Sequence, residues 1–222
     1  NDFTVQFKFK GSGVERSWPV FLSKHQSINN GNPGWLLYIS GKNYSMNVSG
    51  NAYWHNFSSN SPVNDGKWHT ITVVFYTEAA KRYVRCMTDG VTTNTVEVTY
   101  AGVTDNNQPL TIGRNDADGA ANPDVMLTEL QIYNIALPES HVKEYYRKTS
   151  VGATHPYYSN LVGYWPLNEG SGNMAYNYAP LAAARGKNFT LTGTYQWQSF
   201  NDVSPVLEPA ISPEFYKVVP NS

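Results

Sequence analysis

The sequence predicts an all-β fold, a two-sheet antiparallel jelly-roll sandwich carrying one short helix near residues 138–148. Three observations predict it. The chain of 222 residues holds 16 Tyr, 9 Phe and 6 Trp, while charged residues make up only 15%; aromatic and β-branched side chains suit a pleated, half-buried surface. Apolar and polar residues alternate in many short runs, the period of a strand with one buried face. Turn signals rich in Gly, Asn and Pro separate these runs at the spacing of a sandwich or jelly roll.

The elements follow in order. "NDFTVQFKFK" sets Phe3, Val5, Phe7 and Phe9 on one face and Thr4, Gln6, Lys8 and Lys10 on the other, a strand with one dry and one wet side. Strand-like runs continue with "WPVFLSKH", "GWLLYISG", "YSMNVSG", "AYWHNFS", "KWHTITVVFY", "KRYVRCMTDG", "NTVEVTYA", "PLTIGR" and "VMLTELQIYNI", with "NNGNPG", "NDG" and "TDG" between some of them. "LPESHVKEYYRK" reads as the helix: Pro138 suits a first turn, Glu139 complements the helix start, and Val142, Tyr145 and Tyr146 share a face. Its shortness makes it a cap on the sheets rather than a layer. A core of Phe3, Val5, Phe7, Trp68, Ile71, Val73, Phe75, Leu110, Ile112, Leu130 and Ile132 is expected between the sheets. Pro205, Pro209, Pro213 and Pro220 make 201–222 an extended tail, since proline breaks both ladders and helices.

Composition excludes several functions. A formal net charge of −1 supplies no basic field for nucleic acid. No apolar run reaches the roughly 20 residues of a membrane-spanning helix. Cys86 is the single cysteine, so no disulfide framework exists, and alternation places it with Val84 as a small buried hydrophobe. The five histidines, at 25, 55, 69, 141 and 155, show no metal-ligand spacing, and no serine sits in a G-x-S-x-G elbow. His69 is expected to point to solvent or to bond locally. Sequons at Asn43, Asn47, Asn56 and Asn188 carry little weight in so Asn-rich a chain.

"NDGKWHTITVVFY", "LTIGRN" and "LTELQIYNIALPESHVKEYY" stand in this order and together resemble the turn-plus-strand, the later strand and the closing strand with helix of laminin-G-like domains, in the concanavalin A-like lectin and glucanase superfamily. The resemblance covers residues 1 to about 148. "LVGYWPLNEGSG", at 161–172, is similar to the first strand and turn of many bacterial members, where it precedes the segment matched here by "NDFTVQFKFK". A separate unit of about forty residues would bury too little apolar area to stand alone. The expected arrangement is therefore one jelly-roll domain over 1–200, in which 1–156 form the main body and strands within 157–200 complete the same sandwich, as in a circular permutation. Residues 161–168 and 188–197 should pair with its strands, with Trp165 and Leu167 turned to the core.

The superfamily hosts both lectins and glycosidases, so the fold alone does not decide function. Glucanases of this fold carry Glu-x-Asp-x-x-Glu on one strand, and no such run occurs here. The resemblance points instead to a non-catalytic carbohydrate-binding module of the kind found in surface or secreted proteins of gut Bacteroidetes, usually attached to other domains. That implies an extracellular, cell-surface, outer-membrane lipoprotein or secreted location. A glycoside hydrolase and a protein-adhesion module are the alternatives. In "SGNAYWHNFSSNS", alternation turns Tyr53 and His55 one way and Trp54 the other, so one of these sets faces solvent and can stack on a sugar. Trp35, after the turn in "NPGWLLYIS", is a second candidate platform unless it packs at the core edge. In "RNDADGAANPD", Asp116, Asp118 and Asp124 are the candidate calcium ligands, oxygen donors of the type that ion takes.

Overall fold

The computed structural model describes residues 2–14, 19–25, 33–50, 53–98, 106–113, 124–148, 150–184, 186–193, 195–199 and 216–220; for 50, 53, 54, 183, 199 and 216–220 it describes the backbone alone. In chain order the strands are β1 (Phe3–Gly11), β2 (Val20–Lys24), β3 (Gly34–Ser40), β4 (Asn43–Gly50), β5 (Tyr53–Pro62), β6 (His69–Glu78), β7 (Lys81–Thr88), β8 (Val91–Glu97), β9 (Thr111–Ile112) and β10 (Val125–Tyr133). Helix α1 (Glu139–Tyr145) follows, then β11 (Leu161–Trp165), β12 (Met174–Ala175), β13 (Phe189–Thr190), β14 (Tyr195–Ser199) and β15 (Tyr216–Pro220). The larger sheet has the order β14-β15-β10-β1-β6-β7-β8, with β11 also pairing β10. The smaller has the order β5-β4-β3-β2-β9, and β12 and β13 form a separate ribbon.

The sheets meet through alternating inward residues. Val5, Phe7 and Phe9 of β1, Ile71, Val73 and Phe75 of β6, and Val84 and Cys86 of β7 pack against Phe21, Leu22, Trp35, Leu37, Ile39, Tyr44, Met46 and Val48 of the smaller sheet. Most are fully buried, and each large side chain contributes about 1.5–3 kcal/mol by leaving water. Burial pushes the Cys86 thiol up to about 12, so it behaves as an inert core residue. Of the expected core, Phe3, Leu110, Ile112 and Ile132 are partly buried at its margin. Trp68 is only half-buried: it stands one residue before β6, at the rim where the 65–67 turn enters the strand.

The wet face expected on β1 is dry. Thr4, Gln6 and Lys8 are 0%, 6% and 5% exposed, because α1 and the chain from Val151 to Ala184 cover the outer face of the larger sheet. A second apolar cluster there joins Val74 and Met87 of the sheet to Val142 of α1 and to Val151, Leu161 and Tyr164 beyond it. Beneath this cover the polar side chains find partners. Gln6 donates to the Gln131 side chain and accepts from Thr72; Lys8 Nζ donates to Thr70 Oγ1 at 3.1 Å and to the Tyr146 carbonyl at 3.0 Å. A bulge in β10 sets two residues, Glu129 and Leu130, opposite Phe7, and Glu129 takes φ +55°.

The "LVGYW" strand lies on β10, with Leu130 opposite Trp165 and Ile132 opposite Gly163. Trp165 and Leu167 sit in the same inter-sheet core as Phe7. A Cβ at Gly163 would come within 2.5 Å of the Trp165 ring, so glycine is what lets the indole fold back over the strand. Pro166 O accepts from Thr128 Oγ1 at 2.6 Å and from Glu129 N at 3.2 Å, tying the bulge to the C-terminal segment. Of the 188–197 stretch, Phe189 and Thr190 pair with β12, while β14 joins the large sheet through β15. Within the run read as an extended tail, Tyr216–Pro220 forms a strand; it carries strand formers and no proline before its last residue.

Candidate functional site

Strand β5 ends the order of the smaller sheet. Its register with β4 places Phe57 opposite Met46, on the core side, and Asn56 opposite Asn47, on the outward side. The outward residues of β4 are polar but covered: Ser45, Asn47 and Ser49 are 4%, 1% and 2% exposed. His25 bonds the Ser49 hydroxyl on this face. Asn47 Nδ2 donates to Asn56 Oδ1 at 2.8 Å, which fixes the exposed Asn56 amide from below and leaves its NH₂ pointing elsewhere. The buried Asn47 Oδ1 has no hydrogen-bond partner among the described residues. Trp54 pairs with Ser49 and Tyr53 with Gly50 through the backbone, and their side chains lie outside the described part. His55 pairs with Val48 and is half-buried.

Trp35 is not a rim platform. It is 2% exposed and packs between the sheets, its ring 6.2 Å from both Phe3 and Phe75. As the second residue of β3, Trp35 falls on the same face as Leu37 and Ile39, which alternation turns into the sandwich. Of the calcium candidates, Asp116 and Asp118 lie outside the described residues; Asp124 is half-buried and its carbonyl accepts from Ser12 N. Among the described residues no three His, Cys, Asp or Glu side chains gather around one point. Two imidazoles do meet, His141 Nε2 and His155 Nε2 at 3.1 Å, with Tyr145 and Tyr157 against them. Burial, then the charge of His155, pushes His141 down to about 4.

Several carboxylates are engaged by neighbouring groups. His69 is held at both ring nitrogens, Nδ1 2.8 Å from Asp89 and Nε2 3.1 Å from Asp65. Asp89 uses its other oxygen on Thr70 N at 2.8 Å. Asp89 and Glu144 line one cleft of about 380 Å³ beside Lys143 and Arg147. Glu129 is buried under Tyr164, whose hydroxyl donates to it at 3.0 Å. Burial pushes its carboxyl up to about 8, so it is mostly protonated at neutral pH. The sign of Glu129 in the sequence is the three-residue spacing of Leu127 and Leu130 around it, which breaks the alternation.

With this geometry in place, the match to known proteins is informative. Residues 1–143 match the concanavalin A-like lectin/glucanases superfamily, and the chain belongs to it. No curated protein matches the sequence. The fold is similar to a solved structure of a candidate carbohydrate-binding protein from Bacteroides ovatus, with TM-score 0.59, 14% identity, and 86% of this chain and 54% of that chain covered. It is also similar to the receptor-binding domain of botulinum neurotoxin type G, with TM-score 0.50, 14% identity, and 100% and 66% of the two chains covered. At that identity the likeness is one of fold, and the chain spans 54% and 66% of the length of those two relatives. No helix among the described residues is long and apolar enough to cross a membrane.

Proposed function

We propose that the chain is a non-catalytic, lectin-like carbohydrate-binding module of a cell-surface or secreted protein, attached there to other domains. The observation that carries this reading is the Asn47–Asn56 pair. An exposed amide is held in one orientation by a buried one, in the strand that also holds Tyr53, Trp54 and His55. Sugar hydroxyls pair with such an amide, and aromatic rings stack on the C–H face of a pyranose. Pre-orientation lowers the entropy lost on binding. Membership of a superfamily that includes lectins, and a fold like that of the Bacteroides ovatus protein, support the same reading.

A glycan array probed with and without Ca²⁺ tests it. The expected result is binding to an oligosaccharide at micromolar to millimolar Kd, reduced about tenfold or more by Trp54→Ala or Asn56→Ala with the melting temperature unchanged. Loss of binding in EDTA would support Asp116, Asp118 and Asp124 as a calcium site. Release of reducing sugar from any bound glycan would replace this reading with a glycoside hydrolase.

A further inference from the structure

A second cleft, of about 480 Å³, opens on the outer side of the larger sheet, within the roughly 300–1,000 Å³ range of small-ligand sites. Tyr158, Tyr164 and Tyr178 with Pro166 form its walls, and Ser150 and Asn168 supply polar groups. Among the described residues no charged side chain lines it. The Tyr164 hydroxyl is already engaged, donating to Glu129 and accepting from Val151 N, so this ring is a fixed floor.

The mouth of the cleft is built to present an aromatic ring. Four large apolar side chains stand out as exposed among the described residues, and two of them are Tyr176 and Tyr178, at 47% and 55%. The residue between them explains why. Asn177 turns inward: its Oδ1 accepts from Tyr164 N at 2.9 Å and Ala179 N at 3.0 Å, its Nδ2 donates to Ala184 O at 3.2 Å, and its backbone N–H donates to Asn188 Oδ1 at 3.0 Å. Tyr178 N donates to Tyr164 O at 2.8 Å, and Tyr176 N donates to Glu169 Oε1 at 2.7 Å. With each of these backbone groups pinned, the Tyr178 ring is held outward at the cleft wall. Core packing does not require it there, and leaving it half in water costs apolar burial. A tyrosine held this way gives contact area with little rotamer entropy to lose.

We propose that this cleft is a binding site for a neutral oligosaccharide, with Tyr178 stacking on a pyranose ring and Asn168 and Ser150 bonding its hydroxyls. The ligand is neutral because the described lining offers no cation to a uronate, sialate or sulfate, and a desolvated anion without a partner is strongly disfavoured. The site goes beyond the one proposed at Asn56. It lies on the other sheet and is built by the C-terminal segment.

The test is titration of the full chain with cellohexaose, xylohexaose, laminarihexaose and mannohexaose, and with oligogalacturonate and chondroitin hexasaccharides as acidic probes. The expected result is that at least one neutral probe binds and that Tyr178→Ala weakens it about tenfold or more. Tyr178→Phe, which keeps the ring, should bind like the parent. Asn168→Ala checks the polar wall without touching the platform and should lose several-fold. Neutral binding that falls in Trp54→Ala but not in Tyr178→Ala or Asn168→Ala overturns the cleft and keeps the Asn56 site. Tyr178-dependent binding of the acidic probes alone overturns the proposal. No binding of any neutral probe at 10 mM overturns the cleft and leaves the Asn56 site to the glycan array.

Discussion

His69 joins two turns that are far apart in sequence, the 65–67 turn before β6 and the Asp89-Gly90 turn after β7. Its bond to Asp89, opposed by burial and assisted by Asp65, raises the imidazole above its usual 6.5. Burial alone would raise the Asp65 carboxyl, but bonds from Lys67 N and His69 outweigh it and hold the group below 3.8. The His69 contribution is therefore complete below its unfolded pKa and fades as pH rises through the folded one. The Asp65 contribution is complete above its unfolded pKa and fades as pH falls through the folded one. The clamp is strongest between about pH 4 and 6.5, and His69→Gln should lower the melting temperature most in that window and flatten the profile on either side of it; an unchanged profile would show that the bonds carry no net stability. Glu129 acts in the opposite sense. Its carboxyl sits at about 8 in the folded chain against 4.5 ordinarily, so the folded state holds a proton the unfolded state releases, and stability falls as pH rises between those values. Glu129→Gln keeps the shape and the Tyr164 contact but cannot ionise. Denaturant unfolding at pH 5 and pH 8 should show a smaller loss for the variant than for the parent.

At the scale of elements, the hairpin turns differ in how well sequence and geometry agree. β7 and β8 are joined by Asp89-Gly90, with φ +51° and +77°, the left-handed pair a two-residue turn requires. A Cβ at Gly90 would also strike the Tyr146 ring at 2.6 Å. β6 and β7 are joined by Ala79-Ala80, with φ +48° and +63°, where a left-handed conformation costs an L-residue about 1–2 kcal/mol. Replacing the pair by Asn-Gly should raise stability by about 1 kcal/mol, read as a higher midpoint in urea with an unchanged slope; a lower midpoint would mean the turn is not of this type. The same contrast explains what the sequence made legible. The strands through β10 could be read because Phe3 to Phe9, Ile71 to Phe75 and their like repeat with period two, and the helix because Val142, Tyr145 and Tyr146 recur at helical spacing. The burial of Thr4, Gln6 and Lys8 could not, because their cover comes from residues more than 130 positions away and polar types look the same wet or dry. The aromatic cleft was hidden for a related reason: Asn177 dictates where Tyr178 points, and its partners at 164, 184 and 188 are fixed only in three dimensions. Trp35 misled because a tryptophan after a turn reads alike at a rim and inside a sheet.

At the scale of the molecule, the C-terminal segment and the superfamily match divide the chain unevenly. The match ends at residue 143, yet the segment beyond it takes part in both apolar clusters. Leu161 and Tyr164 fill the outer one with Val74 and Met87. Trp165, Leu167 and Ala175 enter the inner one with Phe7 and Val73, and Trp165 is further tied by Nε1–H to Lys187 O at 3.1 Å. Removal of residues 157–222 would expose the β10 edge from Leu130 to Tyr133, a row of unpaired backbone groups open to other chains. It would uncover Glu129 and take away the Tyr164 hydroxyl that donates to it. Leu161, Tyr164, Trp165 and Leu167 would leave the core, and at about 1.5–3 kcal/mol for each large side chain the loss is comparable with the roughly 5–15 kcal/mol that holds a typical fold together. A chain of 1–156 is therefore expected to be insoluble or molten. Expression of 1–156 alone, followed by thermal unfolding and amide dispersion in NMR, checks this. A soluble fragment that melts cooperatively near the parent temperature would show that the jelly roll stands without its C-terminal cover.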